Sequence, residues 1–154
     1  MMSPAHPRPA DRILHASCVA CDGRAVLIRG AAGSGKSTLA LALLGQGAQL
    51  VSDDRTCLRA APRGVIAFAP PTILGAVEAR QVGLLRAPLS APCPVELVID
   101  LDMDETERLP PSRECDLLGR SVPLFRRANS PHFASIILLY LKHGRWSPER
   151  CDPT

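Results

Sequence analysis

Apolar residues fall into short runs separated by glycine, proline and acidic pairs. Ile13 to Val19 reads as a strand and Ala25-Val26-Leu27-Ile28 as a second, buried one. Asp22-Gly23 between them marks a tight turn, so the two are predicted to form a hairpin. The run Thr38-Leu39-Ala40-Leu41-Ala42-Leu43-Leu44 predicts a helix over Ser37 to Leu44, stopped by Gly45 and Gly47. Gln49 to Ser52 is a short strand that ends at Asp53-Asp54. Thr56 to Arg59 and Val65 to Ala69 are predicted to pair around Pro62-Arg63-Gly64, and Pro70-Pro71 breaks the pattern. Thr72 to Arg80 fits a loop or a short helix equally well. Pro94 to Leu101 reads as a strand, Asp102 to Glu114 as a charged, proline-interrupted loop, and Ser121 to Phe125 as a last strand. Ser130 to Lys142 predicts a helix, with Ser130 as its cap, Pro131 at its first position and Gly144 past its end. Residues 1–12 read as a flexible arm, 13–145 as one domain and 146–154 as a frayed tail.

The sum is an α/β fold, strand-rich with few helices. A doubly wound nucleotide kinase would instead alternate strands and helices throughout. No segment is left for a nucleoside-monophosphate site or a helical lid.

Composition narrows the partners. The 154 residues suffice for a single core, and an apolar content of 46% excludes wholesale disorder. Aromatics make up only 3%, so the core is aliphatic, and the stacking platforms of a single-strand nucleic-acid reader are lacking. A net charge of +3 is too mild to imply a nucleic-acid partner. No apolar run reaches the roughly 18 residues of a membrane span, so no membrane partner is expected. The first ten residues do not read as a signal peptide. Six cysteines beside the glycine-rich P-loop pattern at Gly30-Ala31-Ala32-Gly33-Ser34-Gly35-Lys36-Ser37 point to reduced thiols and a cytoplasmic setting. Cys18-Val19-Ala20-Cys21 has metal-site spacing, but no second ligand pair follows, so the spacing is read as chance.

The chemistry centres on Gly30-Ala31-Ala32-Gly33-Ser34-Gly35-Lys36-Ser37, which fits the P-loop pattern between a strand and a helix. Its glycines let successive N–H groups turn inward on phosphate oxygens, and Thr38 continues the phosphate-binding start of the helix. Lys36 is placed to reach the β- and γ-phosphates and Ser37 to ligate Mg²⁺. Asp53 and Asp54 end a strand, where neighbouring side chains point to opposite sides. One carboxylate can face a metal and the other an acceptor hydroxyl. His15 alone fits a core or edge residue; Glu78 and Arg80 share a face of an extended segment. Arg126-Arg127 fits either a phosphate-binding fork or a solvated basic turn.

Taken in order, these features resemble the catalytic domain of HPr kinase/phosphorylase, in the short bacterial form without an amino-terminal domain. The resemblance runs from His15 to Lys142. It rests on His15 fifteen residues before the first loop glycine, the P-loop, Gly47-Ala48-Gln49-Leu50-Val51-Ser52-Asp53-Asp54, and Val77-Glu78-Ala79-Arg80-Gln81-Val82-Gly83. The last segment is similar to a family signature of the form Glu-x-Arg-Gly-x-Gly. The chain departs from the pattern at Thr38, usually acidic, at Gln81, usually glycine, and over 123–129, where Pro-Gly-Arg-Asn is expected. The resemblance implies an ATP- and Mg²⁺-dependent kinase of a serine on HPr, the phosphocarrier of the sugar phosphotransferase system. It also implies the reverse reaction, in which inorganic phosphate attacks the phosphoserine and takes its phosphate, giving pyrophosphate and free serine. Asp53 is then the base, tuned by a neighbouring His15; Ser37, Asp54 and Glu78 hold the metal; Lys36, Arg80 and Arg127 support the phosphates. A hexamer is implied. The rival expectations are a P-loop kinase with another acceptor and a nucleotide-binding regulatory module.

Overall fold

A computed structural model describes residues 10–71 and 75–147. The chain forms β1 (Arg12–Leu14), β2 (Ala16–Cys21), β3 (Arg24–Arg29), α1 (Lys36–Gly45), β4 (Gln49–Ser52), β5 (Thr56–Ala61) and β6 (Gly64–Phe68). It continues through β7 (Ala76–Ala79), β8 (Gly83–Arg86), β9 (Cys93–Asp104), β10 (Glu114–Leu117), β11 (Arg120–Arg127) and α2 (Phe133–His143). Nine strands make one sheet in the order β1-β5-β6-β9-β3-β2-β4, with β11 beside β9 and β10 on β11. The hairpin of β7 and β8 stands apart as a two-stranded sheet.

The direction of these strands builds the site. β2 runs antiparallel to both β3 and β4, so β3 and β4 point the same way with β2 between them. β9 and β11 are parallel to β3 and to each other. The carboxyl ends of four strands therefore gather along one edge, where open α/β sheets bind ligands.

Alternation along β3 explains the two cores. Val26 and Ile28 join Leu43 of α1, Leu97 and Ile99 of β9, and Ile137 and Leu141 of α2 on the helical side. Ala25 and Leu27 face a second, helix-free core with Val51, Leu58, Val65 and Val98. Burying a leucine or isoleucine of this kind contributes about 1.5–3 kcal/mol. Cys18 and Cys21 part company here, Cys18 in the second core and Cys21 against the first. Burial pushes the Cys18 thiol well above its usual range, with Cys93 adding to the effect.

The predicted hairpin is present, with Asp22 and Gly23 both at positive φ, 53° and 74°. Helix α1 and strand β4 lie where expected, and β5 pairs antiparallel with β6. Other expectations need correction. The first strand is split at His15, because β1 pairs with β5 while β2 pairs with β3 and β4, so the chain changes partners there. The stretch from Asp102 to Glu114 is a loop only over 105–113: β9 runs on to Asp104, and β10 starts at Glu114. Glu105 closes that loop, accepting from Arg113 at 2.9 and 3.1 Å, and the pair holds the Glu105 carboxyl below its usual range. Residues 76–79 form a strand rather than the loop or short helix expected; the expectation for 72–74 lies outside the described residues. Helix α2 starts at Phe133, with Pro131 before it and the Ser130 hydroxyl accepting from the His132 N–H at 3.1 Å. Most of the arm and tail, 1–9 and 148–154, also lies outside the described residues.

Candidate active site

The loop from Gly30 to Gly35 joins β3 to α1. Gly30 has no substitute: a Cβ there would stand 2.5 Å from the Ser34 hydroxyl and 3.2 Å from Leu101 Cβ. Gly35 caps α1 in the left-handed region at φ 103°, and no side chain caps the helix start. The first intrahelical bond runs from the Leu39 N–H to the Gly35 carbonyl at 2.9 Å. The amides at Lys36, Ser37 and Thr38 precede it, the orphan donors that make a helix start an anion site. Lys36 Nζ donates to the Gly30 and Ala31 carbonyls at 2.9 and 3.2 Å, which seats the ammonium over the loop.

The acidic pair divides as its strand-end position requires. Asp53 is 7% exposed. Its Oδ1 accepts from Ser17 Oγ at 2.7 Å and from Ser37 Oγ at 2.8 Å, and its Oδ2 accepts from the Glu78 N–H at 3.2 Å. Ser17 Oγ accepts in turn from the Asp54 N–H at 3.1 Å. Asp54 has a positive φ of 67°, a conformation that non-glycine residues avoid unless their surroundings impose it. The Asp54 side chain is 66% exposed, with His15 Nδ1 3.9 Å from its Oδ1. His15 thus stands against Asp54, the exposed member, and Asp53 is occupied by the two serines.

Asp54, Glu78 and Arg80 line one cleft of about 150 Å³ with Ala32, Gly33, Gly35, Lys36, Ser37 and Thr38. The hairpin of β7 and β8 brings the Glu78 and Arg80 side of this cleft over the loop. Gln81, at its turn, sits at φ 66°, where glycine is most at ease. The donors here are hydroxyl and carboxylate oxygens, the set that suits a hard divalent cation. Among the described residues no three His, Cys, Asp or Glu side chains form a ready cage. A cation would share its shell with phosphate oxygens, the usual arrangement for Mg²⁺.

Arg127 lies elsewhere. Its guanidinium donates to the Ser34 carbonyl and, at 3.2 Å, to the Leu101 carbonyl, with Asp104 3.8 Å away. It holds the P-loop by its backbone and does not line the cleft of Asp54. Two residues that sequence reasoning passes over complete the site. Ser17 bridges the acidic pair, and Asp102 accepts from the Ala31 N–H at 2.9 and 3.1 Å. The only signal for Ser17 is a hydroxyl inside an apolar strand.

No helix of the described residues is long and apolar enough to cross a membrane. In sequence the chain is 35% identical over 72 residues to an HPr kinase/phosphorylase of Clostridium botulinum, covering 47% of this chain and 24% of the relative. It is 37% identical over 100 residues to one from Bordetella petrii, covering 57% and 32%, and 33% identical over 116 residues to one from Cupriavidus necator, covering 68% and 36%. The chain thus spans about a quarter to a third of the length of these curated relatives. Its fold matches the Hpr(Ser) kinase/phosphatase structure from Coxiella burnetii with a TM-score of 0.71 at 26% identity, over 86% of this chain and 89% of that one. The model of the HPr Serine kinase C-terminal domain matches residues 9–90, just over half of the chain, and the chain belongs to that family.

Proposed function

We propose that this chain transfers the terminal phosphate of ATP to a serine of the phosphocarrier HPr, and that the same site runs the reverse phosphorolysis. The observation that carries this reading is the single cleft in which the P-loop faces Asp54, Glu78 and Arg80. Family membership and the names of the relatives support HPr as the acceptor.

In this reading the helix-start amides and Lys36 bind the phosphates. Ser37, Asp53 and Glu78 would hold Mg²⁺, which supplies charge neutralisation on the phosphates when bound. The family resemblance implies Asp53 as the base and Asp54 at the metal; the hydrogen bonding favours the exchange. Asp53 already accepts three hydrogen bonds, one from the Ser37 hydroxyl itself. Asp54 is free to accept the proton of the incoming serine while the serine oxygen attacks the terminal phosphorus and ADP leaves. His15, beside Asp54, positions that carboxylate. In the reverse direction inorganic phosphate attacks the phosphorus of phosphoserine, pyrophosphate forms as the P–O bond to serine breaks, and protonated Asp54 gives its proton to the departing serine oxygen. Arg80 faces the same cleft and offsets the charge of the transferred group. Arg127 supports the phosphates through the shape of the loop.

A cytoplasmic setting and self-association, a hexamer in the family resemblance, belong to the same reading. Val82 and Leu84, 73% and 75% exposed on the β7–β8 hairpin, offer an apolar contact for a second copy. Light scattering that finds a monomer would contradict self-association. The test of the reaction is incubation with purified HPr, ATP and Mg²⁺, followed by intact mass and site mapping. One phosphate on an HPr serine, lost with Lys36→Ala, is expected. Measured ATP binding without transfer would point to a regulatory module instead.

A further inference from the structure

The hydrogen bonds around Lys36 run through one peptide unit to a carboxylate on its far side. Lys36 Nζ carries three donors, and two go to the Gly30 and Ala31 carbonyls at 2.9 and 3.2 Å. The Gly30 carbonyl belongs to the same planar unit as the Ala31 N–H, and in a trans peptide the two point in opposite directions. That N–H donates to both oxygens of Asp102, at 2.9 and 3.1 Å. One peptide thus lies between an ammonium and a carboxylate, each bonded to the end of its dipole that suits it. Such a chain of bonds polarises and strengthens its members.

Strand register brings Asp102 to this place. β9 runs parallel to β3 with Asp100 opposite Arg29, so Asp102, two residues on, comes level with the start of the loop. Asp100 steadies it: its Oδ1 accepts from the Asp102 N–H at 2.9 Å, and its Oδ2 lies 3.6 Å from Arg29 Nη2. Neither Asp100 nor Asp102 lines the cleft of Asp54, whereas Lys36 does. Asp102 therefore acts on a substrate there through the loop. We propose that Asp102 is the positioning residue of Lys36. By fixing the plane of the Gly30–Ala31 peptide it fixes the carbonyl on which the ammonium rests. With two donors held by the loop, the third is left for the phosphate chain. This rests on the P-loop reading above and adds what sets the direction of its lysine.

Two measurements test it. The lysines of the chain are Lys36 and Lys142, so competitive acetylation with acetic anhydride, read by peptide mass spectrometry, has its own internal reference. Asp102→Ala should raise the labelling of Lys36 relative to Lys142 about fivefold, the scale of one released hydrogen bond. An unchanged ratio would overturn the proposal. Asp102→Asn keeps an oxygen that accepts from the Ala31 N–H, so its ratio should stay within about twofold of wild type. A ratio matching that of Asp102→Ala would overturn the argument from that bond. The second measurement is a double-mutant cycle on ATP affinity by titration calorimetry. Asp102→Ala should weaken ATP binding about fivefold when Lys36 is present and less than about twofold when it is already alanine. An equal loss in both backgrounds would make Asp102 a brace of the loop alone and overturn its role toward Lys36. Should Lys36→Ala bind ATP too weakly for the cycle, the labelling ratio and its rescue by asparagine decide. A wild-type chain that binds no ATP would overturn the P-loop reading and this proposal with it; ATP binding with no change in the ratio overturns the proposal alone.

Discussion

The two flanks of the P-loop strand use the same residue types to different ends. On the β2–β4 flank, Asp53, Asp54, Glu78 and Arg80 surround an open cleft, and Asp54 remains 66% exposed. On the β9–β11 flank, Asp102 and Arg127 are engaged with the loop's own backbone, Asp102 on the Ala31 N–H and Arg127 on the Ser34 carbonyl. A carboxylate or guanidinium that has satisfied a backbone group fixes shape; one left facing a cleft can meet a substrate. Strand polarity sets the division. β9, the parallel neighbour of β3, and β11 beyond it end beside the loop and reach its backbone, whereas β4, reached across the antiparallel β2, ends where its acidic pair can look across the loop.

The largest expected effect tests the loop itself. Lys36→Ala should lower phosphate transfer by about a hundredfold to a thousandfold in a steady-state assay, the scale for one lost charge-stabilising donor. Substitution on the two flanks should then separate. Asp53→Asn should weaken Mg²⁺-dependent ATP binding about tenfold by titration calorimetry, because the carboxylate facing Ser37 is lost. Equal binding with and without Mg²⁺ in the wild type would break that assignment. Arg127→Ala removes a charged donor from two carbonyls, and its half-exposed position sets the loss at about 1.5 kcal/mol, read as a lower Tm. Its transfer rate at saturating ATP should stay near wild type; a collapse would place Arg127 in the chemistry. The smallest effect is a gain. Gln81→Gly relieves a left-handed residue at φ 66° and should stabilise the chain by about 0.5–1 kcal/mol in a denaturant titration.

The signals that were legible are local ones. Asp22-Gly23 announces its hairpin because both residues tolerate the positive φ the turn demands. The P-loop announces itself because its glycines and its Lys36-Ser37 lie together in the chain. Long-range placement left no such mark. Ser17 meets Asp53 across 36 residues through the register of β2 and β4, and nothing near Ser17 encodes that meeting. The charged end of β9 reads as a loop because Asp102 and Asp104 are exposed, yet β11 pairs with that strand as far as Asp104. The split at His15 arises from a change of partner strand, again set by distant residues. The strand end marks the acidic pair, but which member faces the open cleft depends on hydrogen bonds that only the fold assembles.

In the proposed reaction the open carboxylate, Asp54, does the proton transfer. The direct test compares Asp54→Asn with wild type for phosphate transfer from ATP to HPr, alongside ATP affinity. The expected result is transfer abolished with ATP affinity unchanged. Transfer that persists in Asp54→Asn and is lost in Asp53→Asn with ATP affinity intact would contradict it.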